Sequence, residues 1–322
     1  MSQKFILLIF VLTSINVNAQ TCCSGGIPLS NNIGMEFNDS KVFRIGLNYD
    51  YNNLSTLNNG NDNLNDDSRL RVTHSVLLNL GYSFTDRLSL EGMFSWVNQR
   101  RKITQFGNEN LDQTIGVGDA VVLGKYNFKD LLGKNSVFNL GLGTKIPIGS
   151  TSETNDLGIK LNADLQPGSN ALDFIYYASY SKSFDFRPSF NVSTKVIFRS
   201  TGENNEYLNN SSYEFGDETQ VFLNFSDQFF LFESNITPIL TLKYRNAKRD
   251  LIGGSKLENT GGDWVSLIPA FNIDLNSVIT FSAKAELPIY SEVDGIQLTP
   301  TYRITSGILI TLQERRTLLT KI

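Results

Sequence analysis

The sequence of 322 residues predicts an all-β fold: a closed antiparallel transmembrane β-barrel of the outer-membrane type, with about twelve strands. Three observations predict it. Apolar and polar residues alternate with period two, the alternating segments reach about ten residues or more, and the connections between them alternate long and short.

The alternation is clearest in "VFRIGLNYDY", where Phe43, Ile45, Leu47, Tyr49 and Tyr51 are separated by Arg44, Gly46, Asn48 and Asp50. Successive side chains leave an extended backbone on opposite faces, so the segment has one apolar and one polar wall. Across 43–51, 70–84, 189–199 and 301–312 the apolar wall is broken only at His74, Thr194 and Ser306. The polar wall is broken only at Leu77, Ile197 and Leu309. The pattern recurs less cleanly at 88–100, 119–128, 136–148, 171–184, 215–225, 229–244, 264–275 and 278–289. Tilted strands of this length cross a bilayer, whereas globular strands average about five or six residues.

Taken in order, the odd connections are long and polar: 52–69, 101–118, 149–170, 200–214, 245–263 and 290–300. The even ones are short, such as 85–87, 185–187 and 226–228, with 129–135 the longest. That sorting implies large extracellular loops, short periplasmic turns and both chain ends on the periplasmic side. A three-residue turn at 85–87 sets Tyr82 opposite Leu90, Leu80 opposite Gly92, Leu78 opposite Phe94, Val76 opposite Trp96 and His74 opposite Asn98, which keeps outward side chains together. Tyr82, Phe84, Phe128, Phe184 and Phe225 before the turns, with Tyr49, Tyr51 and Trp96 at the other edge, are candidate girdle residues. An open sheet edge cannot be satisfied in hydrocarbon, so the sheet must close, with lipid outside and water inside. Pro238 and Pro269 fall within strands and are expected to mark bulges.

Lys4, the apolar run 5–12 and Val17-Asn18-Ala19 read as a signal peptide over 1–19, followed by a leader at 20–40, the barrel at 41–312 and a tail at 313–322. The net charge of −4 argues against nucleic acid, and no internal apolar run is long enough for a spanning helix.

The ordered segments "GVGDAVVLGKYNF", "GLGTKIPIGS", "LQPGSNALDFIYYASYSKSF", "NTGGDWVSLIPAF" and "ELPIYSEVDGIQLTPTYRITSGI" resemble the outer-membrane transporter family labelled for the MetA pathway of phenol degradation. The resemblance spans residues 41–312. It implies a channel-like protein in the outer membrane of a Gram-negative bacterium, with uptake of aromatic compounds as its assignment.

Three groups could carry chemistry. His74, the only histidine, faces outward with Val76 as its neighbour while Thr73 and Ser75 point inward, so no nucleophile shares its face and no enzyme is expected. Cys22 and Cys23, beside Gly25-Gly26, could bind a soft ion such as Cu(I), form a vicinal disulfide, or sit inert. The inward face carries Arg44, Arg71, Glu91, Asp119, Lys125, Lys145, Asp173, Lys195, Arg199, Glu218, Lys243, Lys284, Glu286 and Arg303, either a transverse field for solutes or salt bridges filling a structural lumen. Val121, Leu123, Ile175, Tyr177, Phe222 and Trp264 add an apolar component to it. The expected function is a porin-like channel for small hydrophobic or aromatic solutes. A plugged structural or surface-interaction barrel and a copper-handling barrel using the Cys22-Cys23 leader are the alternatives. No cofactor is expected, and the expected partners are outer-membrane lipid, the solute and the barrel-assembly machinery.

Overall fold

The computed structural model describes residues 33–37, 39–208 and 211–313. The signal peptide, the Cys22-Cys23 pair and the tail beyond Gln313 lie outside the described residues.

Twelve antiparallel strands form the barrel: β1 (Val42–Asn59), β2 (Arg69–Ser83), β3 (Leu88–Gln105), β4 (Ala120–Lys129), β5 (Ser136–Ile146), β6 (Asp173–Phe184), β7 (Arg187–Ser200), β8 (Glu218–Ser226), β9 (Ser234–Ala247), β10 (Gly262–Asp274), β11 (Ile279–Val293) and β12 (Ile296–Gln313). Each pairs with its sequence neighbours, and β1 closes the barrel on β12 from Val42 opposite Gln313 to Asn59 opposite Ile296. The β2–β3 hairpin has the predicted register, with Tyr82 opposite Leu90 and His74 opposite Asn98. The two walls divide as the sequence requires: Leu47, Leu142, Phe174 and Ile308 are exposed on the outer face, while Asp50, Asn79, Lys145 and Thr305 are buried within. An outer face this apolar is stable only against hydrocarbon.

Several expectations need correction, and one of the long loops is absent: 290–300 is strand but for a tight turn at Asp294-Gly295 between β11 and β12. The predicted loops at 101–118 and 200–214 are largely strand. Residues 108–117 fold back on the upper part of β3 as a hairpin above the membrane, and 203–208 and 211–214 pair into a small extracellular sheet with 251–252 and 255–256. The inner face of these segments is buried yet carries polar Asp112, Thr114 and Asn204, so no clean apolar alternation announces the strands. β1 likewise runs on to Asn59.

The turn after β8 is not at 226–228. Residues 229–231 continue β8 in the same register against 234–236, and the chain reverses at Phe232-Glu233, both with left-handed backbone (φ 52° and 62°). Phe225 is therefore not a turn-proximal girdle residue.

Neither Pro238 nor Pro269 makes a bulge. The ladder breaks at 227–228 opposite Pro238, which has no N–H to donate, but the register is unchanged across the gap, and Pro269 pairs with Leu240 without a shift. The register shift falls instead between Val265 and Ser266, opposite Pro288.

Candidate functional site

The barrel interior is built in three levels. At the extracellular end of the wall, one charged side chain per strand forms a belt of alternating sign: Asp119 just before β4, Lys145 on β5, Asp173 on β6, Arg199 on β7, Glu218 on β8 and Arg245 on β9. Lys145 Nζ lies 2.8 Å from Asp173 and 3.5 Å from Asp119. Glu218 takes Arg199 at 3.4 Å and Arg245 at 2.9 Å. The cross-strand register produces this, since Lys145 stands opposite Asp173 and Arg199 opposite Glu218. Charges buried this deeply persist only when paired. For these residues the salt-bridge reading of the inward face is therefore the one that describes them. Arg245 was hidden from sequence reasoning because it was placed at the start of a loop, yet it shares parity with Lys243 two residues earlier. Its guanidinium covers the ring of Trp264, 4.7 Å away, which packs on Val293 and Ala247.

The belt also tethers a lid. The chain between β5 and β6 turns inward, and its short 3₁₀ helix Ala163–Leu165 sits in the mouth. Asp119 accepts from the Gly149 N–H (3.1 Å), the Ser169 N–H (3.0 Å) and the Ser169 hydroxyl (2.6 Å). Arg71 holds Asp164 at 2.9 Å and also donates to the Asp164 carbonyl and to Gln99, while Thr114 donates to the Leu165 carbonyl at 2.6 Å. Tyr207 and Tyr213 of the extracellular sheet, with Phe215 just after it, cluster with Ala163 from above.

The middle level is lopsided. Met93, Val121, Leu123, Ile175, Tyr177, Ile197 and Phe222 make an apolar arc over β3 to β8. The opposite arc is charged. Arg303 pairs with Asp50 at 2.8 Å, the Thr305 hydroxyl donates to the same carboxylate, and Lys243 pairs with Glu286 at 2.7 Å. Lys284 faces inward opposite Thr305, and Lys195 stands 4.5 Å from the Phe222 ring centre.

The periplasmic level holds a strap, part of the 20–40 leader whose place inside or outside the lumen is open from sequence alone. Residues 33–37 run up inside the barrel, with Ile33 and Phe37 each only 3% exposed. The Glu91 carboxylate accepts from the N–H groups of Gly34 and Met35, both at 2.9 Å. Lys125, itself 3.3 Å from Glu91, donates to the Met35 carbonyl. Asn127 donates to the Phe37 carbonyl at 2.8 Å, Lys195 to that of Ile33 at 3.3 Å, and Arg44 to that of Glu36. Phe37 and Met35 occupy the space left by Gly81, where an added Cβ would stand 2.6 Å from the Phe37 ring. Ile33 completes the apolar arc.

On the outer wall His74 meets Tyr49, whose Oη is 2.6 Å from His74 Nδ1. Among the described residues no group of three or more His, Cys, Asp or Glu is placed to hold a metal ion.

The chain resembles the crystal structure of an outer membrane channel from Pseudomonas putida F1, with a TM-score of 0.68 at 14% identity over 87% of this chain and 100% of that one. It matches more loosely the β domain of the Bordetella autotransporter BrkA (TM-score 0.48, 12% identity, 85% of this chain and 100% of that one). The translocator domain of the autotransporter NalP from Neisseria meningitidis matches with a TM-score of 0.43 at 6% identity, over 88% of this chain and 90% of that one. No family model and no curated protein matches the chain. At such identities likeness speaks for architecture. Its closed ladder, lipid-facing wall and shared architecture make this chain an outer-membrane β-barrel.

Proposed function

We propose that the barrel is a channel for small hydrophobic or aromatic solutes, and that it transports rather than catalyses. The supporting observation is how the lumen is filled. Small barrels with no path through them are filled by their own wall side chains. Here the wall offers inward Gly46, Gly81, Gly141 and Gly143, and the obstructions are segments entering from the two ends: the strap from the periplasm and the Ala163–Leu165 lid from outside. Between them lies an apolar arc facing a charged one, a surface on which a ring can lie while a polar substituent meets Lys284 or Arg303. The phenol-pathway label carried by the sequence resemblance agrees in chemistry. Copper handling by Cys22 and Cys23 draws no support from the described residues. Lipid contact and insertion by the assembly machinery belong to the same proposal, and the apolar outer wall supports the first of them.

The test is uptake of a radiolabelled phenolic compound by cells with and without the gene, beside uptake of a sugar. The expected result is slower phenolic entry in the deletion strain and an unchanged sugar rate. Equal phenolic rates would sink the reading in favour of a structural barrel.

A further inference from the structure

We propose that the strap at residues 33–37 is a displaceable plug which competes with the transported solute for the same apolar arc. The proposal deepens the channel reading and rests on it. Three features carry it.

First, the strap is held through its backbone. Glu91 reads two consecutive N–H groups, and Lys125, Asn127 and Lys195 read carbonyls. Contacts of this kind can be surrendered one by one to water or to a solute.

Second, the site stays balanced when it empties. Glu91 and Lys125 face each other at 3.3 Å, so departure of the strap leaves an ion pair rather than two isolated buried charges.

Third, the strap has a pivot. It joins β1 at the periplasmic rim, where the Lys41 N–H donates to the Ser83 carbonyl and the Ser83 hydroxyl to the Asp39 carbonyl, each at 2.7 Å, and Lys41 takes a left-handed backbone (φ 57°). Beyond that pivot Ile33 lies against the arc formed with Val121, Leu123 and Ile175, which is where an apolar solute would bind. Strap and solute cannot occupy it together.

Conductance of the full-length protein in planar bilayers tests this, against a variant lacking residues 33–37. Heat-modifiable gel mobility confirms that each barrel is folded. The deletion should raise conductance several-fold, and a synthetic peptide of residues 33–37, Ile-Gly-Met-Glu-Phe, added on the periplasmic side should block the deleted barrel. Equal, non-zero conductance of full-length and deleted barrels would overturn the plug and leave the channel reading intact. Zero conductance in both would overturn the plug, and the phenolic uptake measurement would then decide the channel reading on its own.

Discussion

Arg71 and Asp164 stand 93 residues apart in the chain and 2.9 Å apart in the mouth of the barrel, both almost wholly buried. The pair fastens the loop between β5 and β6 to β2, across the mouth from where the loop begins. Removing one partner of a buried pair costs about 3 to 5 kcal/mol, because the survivor is left charged without its counterion. Asp164→Ala should therefore free the lid without unfolding the wall. Trypsin added to intact cells should nick the chain between residues 149 and 170 much faster than in the parent protein, and equal nicking rates would mean that other contacts hold the lid.

The extracellular sheet should loosen with rising pH. Tyr213 donates to Asp250 at 2.5 Å, and Asp250 also accepts from the Gly216 N–H at 2.8 Å. Burial raises the Asp250 carboxyl above the usual carboxylate range, with the Tyr213 and Gly216 hydrogen bonds pulling the other way, and burial beside that carboxyl raises Tyr213 too. A raised folded-state value means that the protonated form is favoured in the fold. That contribution is complete below the ordinary carboxylate range and is lost as pH climbs through the raised value. The protection factors of the 211–214 amides, with the intrinsic base-catalysed rise in exchange divided out, should fall over that interval, and Asp250→Asn should flatten that profile. A flat profile in the parent protein would refute this.

The outer wall should resist charge. Leu142 is 68% exposed at the centre of β5, where the barrel meets mid-membrane lipid. Leu142→Arg should destabilise the barrel by about 2 to 4 kcal/mol in urea titrations from vesicles. Asn139→Lys, on the inward parity of the same strand and beside Glu36, should cost a fraction of that. Similar losses would mean that the assignment of faces is wrong.

The periplasmic turn at Phe232-Glu233 stores strain. Left-handed backbone costs an L residue roughly 1 to 2 kcal/mol, a cost glycine avoids. Glu233→Gly should raise the urea midpoint by an amount corresponding to about 1 kcal/mol, offset in part by the greater freedom of glycine in the unfolded chain. A lowered midpoint would show that the Glu233 side chain contributes contacts outweighing the strain.

Strand number, register and face were legible because lipid and lumen make opposite demands on alternate residues. Leu78 and Asn79 could not exchange roles, so parity alone placed them. Above the membrane that contrast weakens: the strand at 108–117 and the far end of β1 bury polar Asp112, Thr114 and Asn58 while Leu111 and Ile115 are exposed, and so they looked like loop. The run Phe229-Phe230-Leu231-Phe232 marks a hairpin end that turn chemistry could not announce, since neither turn residue is glycine or asparagine. Inward charges were legible singly, but their partnering was not. The belt from Asp119 to Arg245 depends on register between successive hairpins across long connections, and Asp164 reaches Arg71 only through a loop conformation. The strap left no trace, because Ile-Gly-Met-Glu-Phe has neither period nor motif.

The strands differ in height. β1, β3 and β12 have 18 residues each, whereas β4, β5 and β6 have 10, 11 and 12. At about 3.3 Å per residue, a difference of eight residues amounts to roughly 25 Å of strand, less once tilt is counted. The rim is thus a parapet on one side and a sill on the other, and the loop that crosses the mouth springs from the sill to fasten on the parapet at Arg71. The low side of the mouth is therefore bridged by one loop, whose hold on the high side rests on a buried carboxylate and the guanidinium it meets.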